Sequence, residues 1–302
     1  ALRVAAVAPV INAVLDPLFI FTLELGLPGA AWATTLANGI GLAAGLWVVG
    51  RGRLALRPVP GMWAPRQALA AQILRVGVPG SLEHTVRTVA TFSLLKILNG
   101  FGAVVVSAYT TTSVLIMALI FPGVALGQAT ASVVGQCLGA GRPERATRTG
   151  WLSAGLYAGF MVVLGVAFAG LAPHVVAVFD HNPAVVAEGT AQLRILAWCF
   201  PPLAVALVLG KAFGGAGTTL PAMASSAVAH VVYQLPLAWW LGERYGPTGA
   251  YWAMSSAFML QGLLSTVLFV KLFGARVSRD PGGQQTVKGA PPRSETAGGR
   301  GH

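Results

Sequence analysis

The chain is dominated by stretches of about twenty apolar residues, and these leave few folds open to it. A bilayer core of about 30 Å is crossed by roughly 20 residues of helix. Eight segments meet that length: about 4–23, 29–49, 73–98, 104–138, 150–171, 189–213, 221–241 and 249–273. Hydrophobic residues make up 55% of the chain and charged residues 10%, against roughly 25% charged in ordinary soluble domains. A soluble globule is therefore excluded. The expected class is an all-α, multi-pass membrane protein with the lipid bilayer as its solvent. The net charge of +11 sits in connections and tail, so nucleic acid is not an expected partner. Cys137 and Cys199 lie in or beside apolar spans and read as packing residues, with no metal-ligand spacing around them.

The connections sort by charge. Arg51, Arg53, Arg57, Arg66 and Arg75 follow the second span, Arg142, Arg145 and Arg148 the fourth, and Arg276, Arg279, Lys288, Arg293 and Arg300 the eighth. The alternate connections carry Glu24, then nothing, then Asp180 and Glu188, then Glu243 with Arg244. Positive loops stay in the cytoplasm, which places both termini there in a cell membrane. Residues 51–72, basic and rich in proline, read as a linker. It would join the end of one lobe (1–50) to a six-span lobe (73–273). Residues 274–302 read as a disordered cytoplasmic tail.

An internal repeat extends this. Gly29-Ala-Ala-Trp-Ala-Thr34 matches Gly249-Ala-Tyr-Trp-Ala-Met254 at a spacing of 220 residues, each after a turn containing proline. Repeats are sought early because they set the architecture. If six spans from Ile73 form one copy, the other starts before Ala1. The chain begins without methionine and already apolar, so four N-terminal helices of the same protein are expected upstream. The intact protein would then be two six-helix bundles in parallel repeat.

Polar groups at membrane depth are costly and mark pathways or relays. In the third span Glu83, His84, Arg87, Thr88 and Thr91 share one arc at about 100° per residue, with Gly80 on it and Pro79 offering a bend. Glu83 and Arg87 are four apart and can pair with each other. The fourth span holds Thr110 to Thr112, which can bond their own helix carbonyls, then Pro122 and Gln128. Asn12 and Asp16 share a face of the first span. His230 and Tyr233 are three apart in the seventh. Lys211 reads as a snorkelling lysine near the cytoplasmic end. Trp239, Trp240, Tyr245, Tyr251 and Trp252 read as an interfacial aromatic belt. The cavity candidates are thus Glu83, His84, Arg87, Thr91, Asp16, Asn12, Gln128, His230 and Tyr233.

Several of these stretches resemble the MATE (multidrug and toxic compound extrusion) transporters: Asn12-Ala-Val-Leu-Asp-Pro-Leu-Phe-Ile-Phe21 with the Gly29 motif, Gly77-Val-Pro-Gly-Ser-Leu-Glu-His84 with Arg87, and Phe121-Pro-Gly-Val-Ala-Leu-Gly-Gln128. To these belong Val134-Gly-Gln-Cys-Leu-Gly-Ala-Gly-Arg-Pro-Glu-Arg145 and Gly214-Gly-Ala-Gly217 with Pro221. The resemblance implies twelve helices, of which this chain is five to twelve. It also implies export of cationic or amphipathic compounds by alternating access, with H⁺ or Na⁺ as coupling ion and no other cofactor. The chain departs from the family pattern in ways that matter. Arg87 stands eight residues after the helix proline, where many members carry an acid, and Glu83 sits one turn earlier. Leu203 and its neighbours are apolar, and Gly214 and Thr218 replace the usual Arg and Asp. The cation site of acid-bearing members is therefore not carried over.

Two rival functions are weighed. A lipid or polysaccharide flippase would want a groove with many basic residues. An intramembrane enzyme would want converging catalytic groups, for which His174, Asp180 and His181 are the one candidate cluster. Transport is the expected function and catalysis is not. Single cysteines at Gly61 and Asn182, in a background lacking Cys137 and Cys199, are expected to differ toward an impermeant maleimide on intact cells. Only the Asn182 position labels; the reverse pattern overturns the topology.

Overall fold

The computed structural model describes residues 7–51 and 67–279. All secondary structure among them is helical, in two compact units, 1–67 and 68–302. Most of the expected linker (52–66) and most of the expected tail (280–302) lie outside the described residues.

The first unit is a helix pair. α1 (Val7–Pro17) continues as a π segment, Leu18–Thr22, and α2 spans Gly26–Gly50. Along α2, Gly29, Ala33 and Ala37 are buried at four-residue intervals, and Gly41 extends the stripe. A Cβ on Gly29 would lie 2.8 Å from the Phe19 carbonyl oxygen, and one on Gly41 2.9 Å from the Ala8 Cβ. Lipid gives helices no hydrophobic reason to associate, so small residues that let backbones approach do the work.

The second unit holds α3 (Gln67–Asn99), α4 (Ala103–Gly139), α5 (Pro143–Ala177), α6 (Pro183–Ala197) and α7 (Phe200–Gly215). Then come α8 (Leu220–Ala227), a π segment (Val228–Gln234), α9 (Leu235–Tyr245) and α10 (Pro247–Arg279). Among the described residues, helix occurs in each of the eight expected spans. Three of them, Ala103–Gly139, Pro143–Ala177 and Pro247–Gly274, are by themselves long and apolar enough to cross a membrane, and α6 with α7 makes a fourth as a bent pair. The helix ends run past the apolar windows: α3 starts inside the expected linker, α5 at Pro143 and α6 at Pro183. Proline at the first turn is preorganised for helix and loses no bond, so α5 and α6 can begin ahead of their apolar stretches.

The sixth expected span is not one helix. It breaks at Trp198 and Cys199 with a 60° bend. Pro201 and Pro202, in the first turn of α7, lack the N–H groups that the Ala197 and Trp198 carbonyls would otherwise accept.

α7 is the axis of this unit, packed by α4, α5 and α10. Phe200, Leu203, Ala204, Val208, Leu209, Ala212 and Phe213 are all buried, and a helix whose one charged residue is Lys211 belongs in such a place. Its approach to α4 is set by glycine. A Cβ on Gly215 would fall 2.2 Å from the Ala131 carbonyl oxygen. Where Pro122 interrupts α4, the Tyr157 hydroxyl of α5 donates to the Leu119 carbonyl, and its ring crosses over Gly123, where no Cβ fits.

α3 is held differently. The Thr219 hydroxyl donates to the Val76 carbonyl at 2.6 Å, and Ala90, Leu94 and Leu98 are buried at the other end. Between these ties the helix stands off its neighbours.

Gly215→Ala is expected to cost about 1–3 kcal/mol, the usual range for overpacking. On heating the purified protein, the buried thiols of Cys137 and Cys199 should react with a fluorogenic maleimide at a lower temperature. Gly155→Ala, with nothing within 4 Å of the added Cβ, should not lower that temperature.

Candidate functional site

The gap beside α3 is a cavity of about 950 Å³, within the 300–1,000 Å³ typical of small-molecule sites. α3 contributes Glu83, His84, Arg87 and Thr91, α4 contributes Tyr109, Ser113 and Gln128, and α7 contributes Lys211. His230 and Gln234 close it from the π segment, Met254 and Phe258 from α10. Six of the expected site residues, Glu83, His84, Arg87, Thr91, Gln128 and His230, therefore meet around one space. Thr88 of the expected arc is not among the lining residues.

Arg87 and Glu83 approach to 3.7 Å. Both remain partly accessible, so the pair is of the kind worth only about 0–1 kcal/mol and can be opened by a competitor. The Thr91 hydroxyl donates to the Arg87 carbonyl at 2.9 Å, leaving its oxygen lone pairs toward the cavity.

His230 is buried, with Nδ1 2.7 Å from Gln234 Oε1 and Nε2 3.0 Å from Gln261 Oε1. Both ring nitrogens thus face carbonyl oxygens, which an imidazolium satisfies as a double donor. A neutral ring is satisfied when one amide turns over and offers its NH₂. Phe258 meets the ring edge-on, 5.0 Å between centroids.

Tyr233, expected beside His230, is exposed and does not line the cavity. The π segment is the reason: its bonds run i to i+5, so residues four and five apart stack rather than three and four. Gln234 takes the place expected for Tyr233. Nothing in local composition announces a π segment, and the reading of the face at helical spacing fails there.

Lys211 is the other departure. Its stem lies across Gly127 of α4, where a Cβ would be 2.8 Å from Lys211 Cγ, and the residue lines the cavity, a place the sequence reading did not give it. Among the described residues it has no ion pair or hydrogen bond.

Asn12 and Asp16 belong to the first unit, where Asn12 Nδ2 donates to Asp16 Oδ1 at 3.2 Å and to Thr34 Oγ1 at 3.3 Å. The enzyme-like cluster dissolves into local structure. Asp180 accepts from Ser107 Oγ at 3.1 Å and from the Asn182 N–H at 2.9 Å, and His181 Nδ1 contacts the Ala177 carbonyl at 3.0 Å. Asn182 in turn caps α6 through the Ala184 N–H. No cluster able to hold a metal ion occurs among the described residues.

A family model, MatE, matches residues 79–240, more than half of the chain and most of this cavity. The chain belongs to the MatE family. The probable multidrug resistance protein YpnP of Bacillus subtilis is 30% identical over 80% of this MatE chain and 55% of its own length. The probable multidrug resistance protein NorM of Thermotoga maritima is 24% identical over 82% and 53%. The chain thus spans about half the length of these relatives. A solved structure, MATE in the straight conformation, superposes with a TM-score of 0.85 at 21% identity, over 91% of this chain and 63% of that one. This last likeness is one of fold. Both curated relatives carry the name of multidrug resistance proteins.

The amides around His230 offer a direct measurement. Gln261→Leu keeps the bulk but leaves His230 Nε2 unmatched in a buried place, at an expected cost of about 1–3 kcal/mol. It should read as a lower midpoint in the thiol-exposure melt, while Gln128→Leu, at an exposed residue with no hydrogen bond, should leave the midpoint in place.

Proposed function

We propose that this chain carries the substrate-binding second half of a membrane exporter that works by alternating access. It would exchange H⁺ or Na⁺ for amphipathic small molecules, from a cell membrane with both termini in the cytoplasm. The observation that carries the reading is the cavity beside α3, because it is drug-sized and bounded by the one helix of the second unit that combines charge, a mid-helix proline and loose attachment. Pro79 interrupts the backbone ladder of α3, and the nearby tie from Thr219 to Val76 is a single hydrogen bond. A bend at that point would move the polar arc without repacking α7.

Glu83 is the coupling group in this proposal. It alternates between Arg87 and the coupling ion or substrate, and exchanging partners there costs little because the pair is weak. The alternative of a lipid or polysaccharide flippase is less well supported, since Arg87 and Lys211 are the two basic side chains that line the cavity besides histidines.

The test is Glu83→Gln in the protein with all its helices, reconstituted in proteoliposomes. We expect substrate-driven proton or sodium movement to fall by about tenfold or more, a loss of at least one charge-assisted contact, with insertion unchanged. Normal coupled flux would sink the role given to Glu83. Recovery in the Glu83→Gln, Arg87→Gln double variant would reduce the pair to charge balance.

A further inference from the structure

The cavity of the second unit carries more positive than negative charge. Arg87 and Lys211 line it, and Glu83 is the one carboxylate that does. Glu83 is already engaged by Arg87. Lys211 comes from a different helix, α7, and pairs with no acid among the described residues. An uncompensated charge at membrane depth is expensive, and water alone is a poor substitute for a counter-charge in a confined, largely apolar space.

The placement of Lys211 is built, not incidental. Its stem fits only because residue 127 of α4 is glycine, and Gly210, one residue earlier on α7, also lines the space. A lysine on a buried helix with a glycine opposite cannot simply swing to an interface as a free surface lysine does.

We propose that this cavity binds an amphipathic organic anion, a carboxylate or phosphate group seated between Lys211 and Arg87 with an apolar or aromatic body against Met117, Phe121, Met254 and Phe258. The inference rests on reading the cavity as a substrate site, and it names the substrate's charge. An anion neutralises the charge in excess. A cation would add to it, and the one carboxylate it could meet, Glu83, is shared with Arg87. Gln128, with its amide not engaged within the described chain, supplies a neutral donor to the same anionic group. The four apolar side chains give the body of the ligand its transfer free energy, at the usual rate per area buried.

The experiment measures equilibrium binding of two dyes of opposite charge, fluorescein and ethidium, to the full protein in a neutral detergent. Fluorescein is expected to bind at least about tenfold more tightly than ethidium, and to weaken as salt is raised. Lys211→Gln should weaken fluorescein by about tenfold or more, the worth of a charged hydrogen bond. Lys211→Arg should hold it, and Gly127→Val, which displaces the lysine stem, should repeat the loss. Ethidium binding as tightly as fluorescein overturns the proposal, and so does fluorescein affinity indifferent to both Lys211→Gln and Gly127→Val. If Lys211→Gln does not survive size exclusion, the dye ranking on the unaltered protein and the Lys211→Arg value still decide.

A lipid phosphate is the other source of the same chemistry. Nanodiscs of phosphatidylcholine and of phosphatidylglycerol separate the two: a soluble-anion site keeps fluorescein in both, and a headgroup site loses it in phosphatidylglycerol. Either result keeps the anion chemistry. The reading as a transporter fails separately. Fluorescein that binds as expected but is never moved across proteoliposomes removes transport and leaves the anion site standing. Coupled export of ethidium in preference to fluorescein does the opposite.

Discussion

The second unit depends on how closely α4 and α7 approach. Their contact is backbone against backbone at Gly215 and the Ala131 carbonyl, and glycine against a lysine stem at Gly127. At Gly215 no side chain could stand between them. In lipid, where apolar surface gains nothing by being covered, such approach is the main source of helix cohesion. α7 is clamped to α4 and surrounded by α5 and α10, so an element that moves without repacking this axis must be attached more loosely.

That loosely attached element is α3. It carries the charged pair and the histidine that would be least tolerable against lipid, so its polar arc is turned inward. Held by Thr219 at one end and by Leu94 and Leu98 at the other, it leaves between them a space that no apolar packing fills. The cavity is a consequence of a helix too polar to close against its neighbours and too costly to turn outward. Lys211 then matters in a way its position on α7 alone would not suggest, because Gly127 directs it into that same space.

The repeat clarifies where function departed from scaffold. Gly29 of α2 sits against the Phe19 carbonyl, and Gly249 of α10 against the Leu241 carbonyl, the same device in both copies. The stripe continues at four-residue intervals, as Ala33 and Ala37 in one and Ala253 and Ala257 in the other, all buried. The position of Gly41, which packs on Ala8, corresponds to Gln261, which bonds His230. One copy uses the next place on the stripe for backbone contact, and the other for a polar contact at the cavity wall. Each copy also has a π segment in the preceding helix, after Pro17 in the first and before Pro236 in the second.

Apolar run length pointed to helix in each of the expected spans, because the cost of exposing a backbone to lipid leaves helix as the main answer for a chain of this composition. The polar arc of α3 was legible for a related reason: a charge in an apolar run must face protein or water, and helical periodicity says which residues go with it. Three things were decided only in the assembled structure. The break at Trp198 needs the bend itself, although Pro201 and Pro202 were its visible sign. The exchange of Tyr233 for Gln234 follows from a π segment, which the residue pattern did not announce. The direction of Lys211 depends on a glycine more than eighty residues away on another helix. Periodicity reports how residues on one helix face together. Which helix stands opposite, and how near, is a property of the packing.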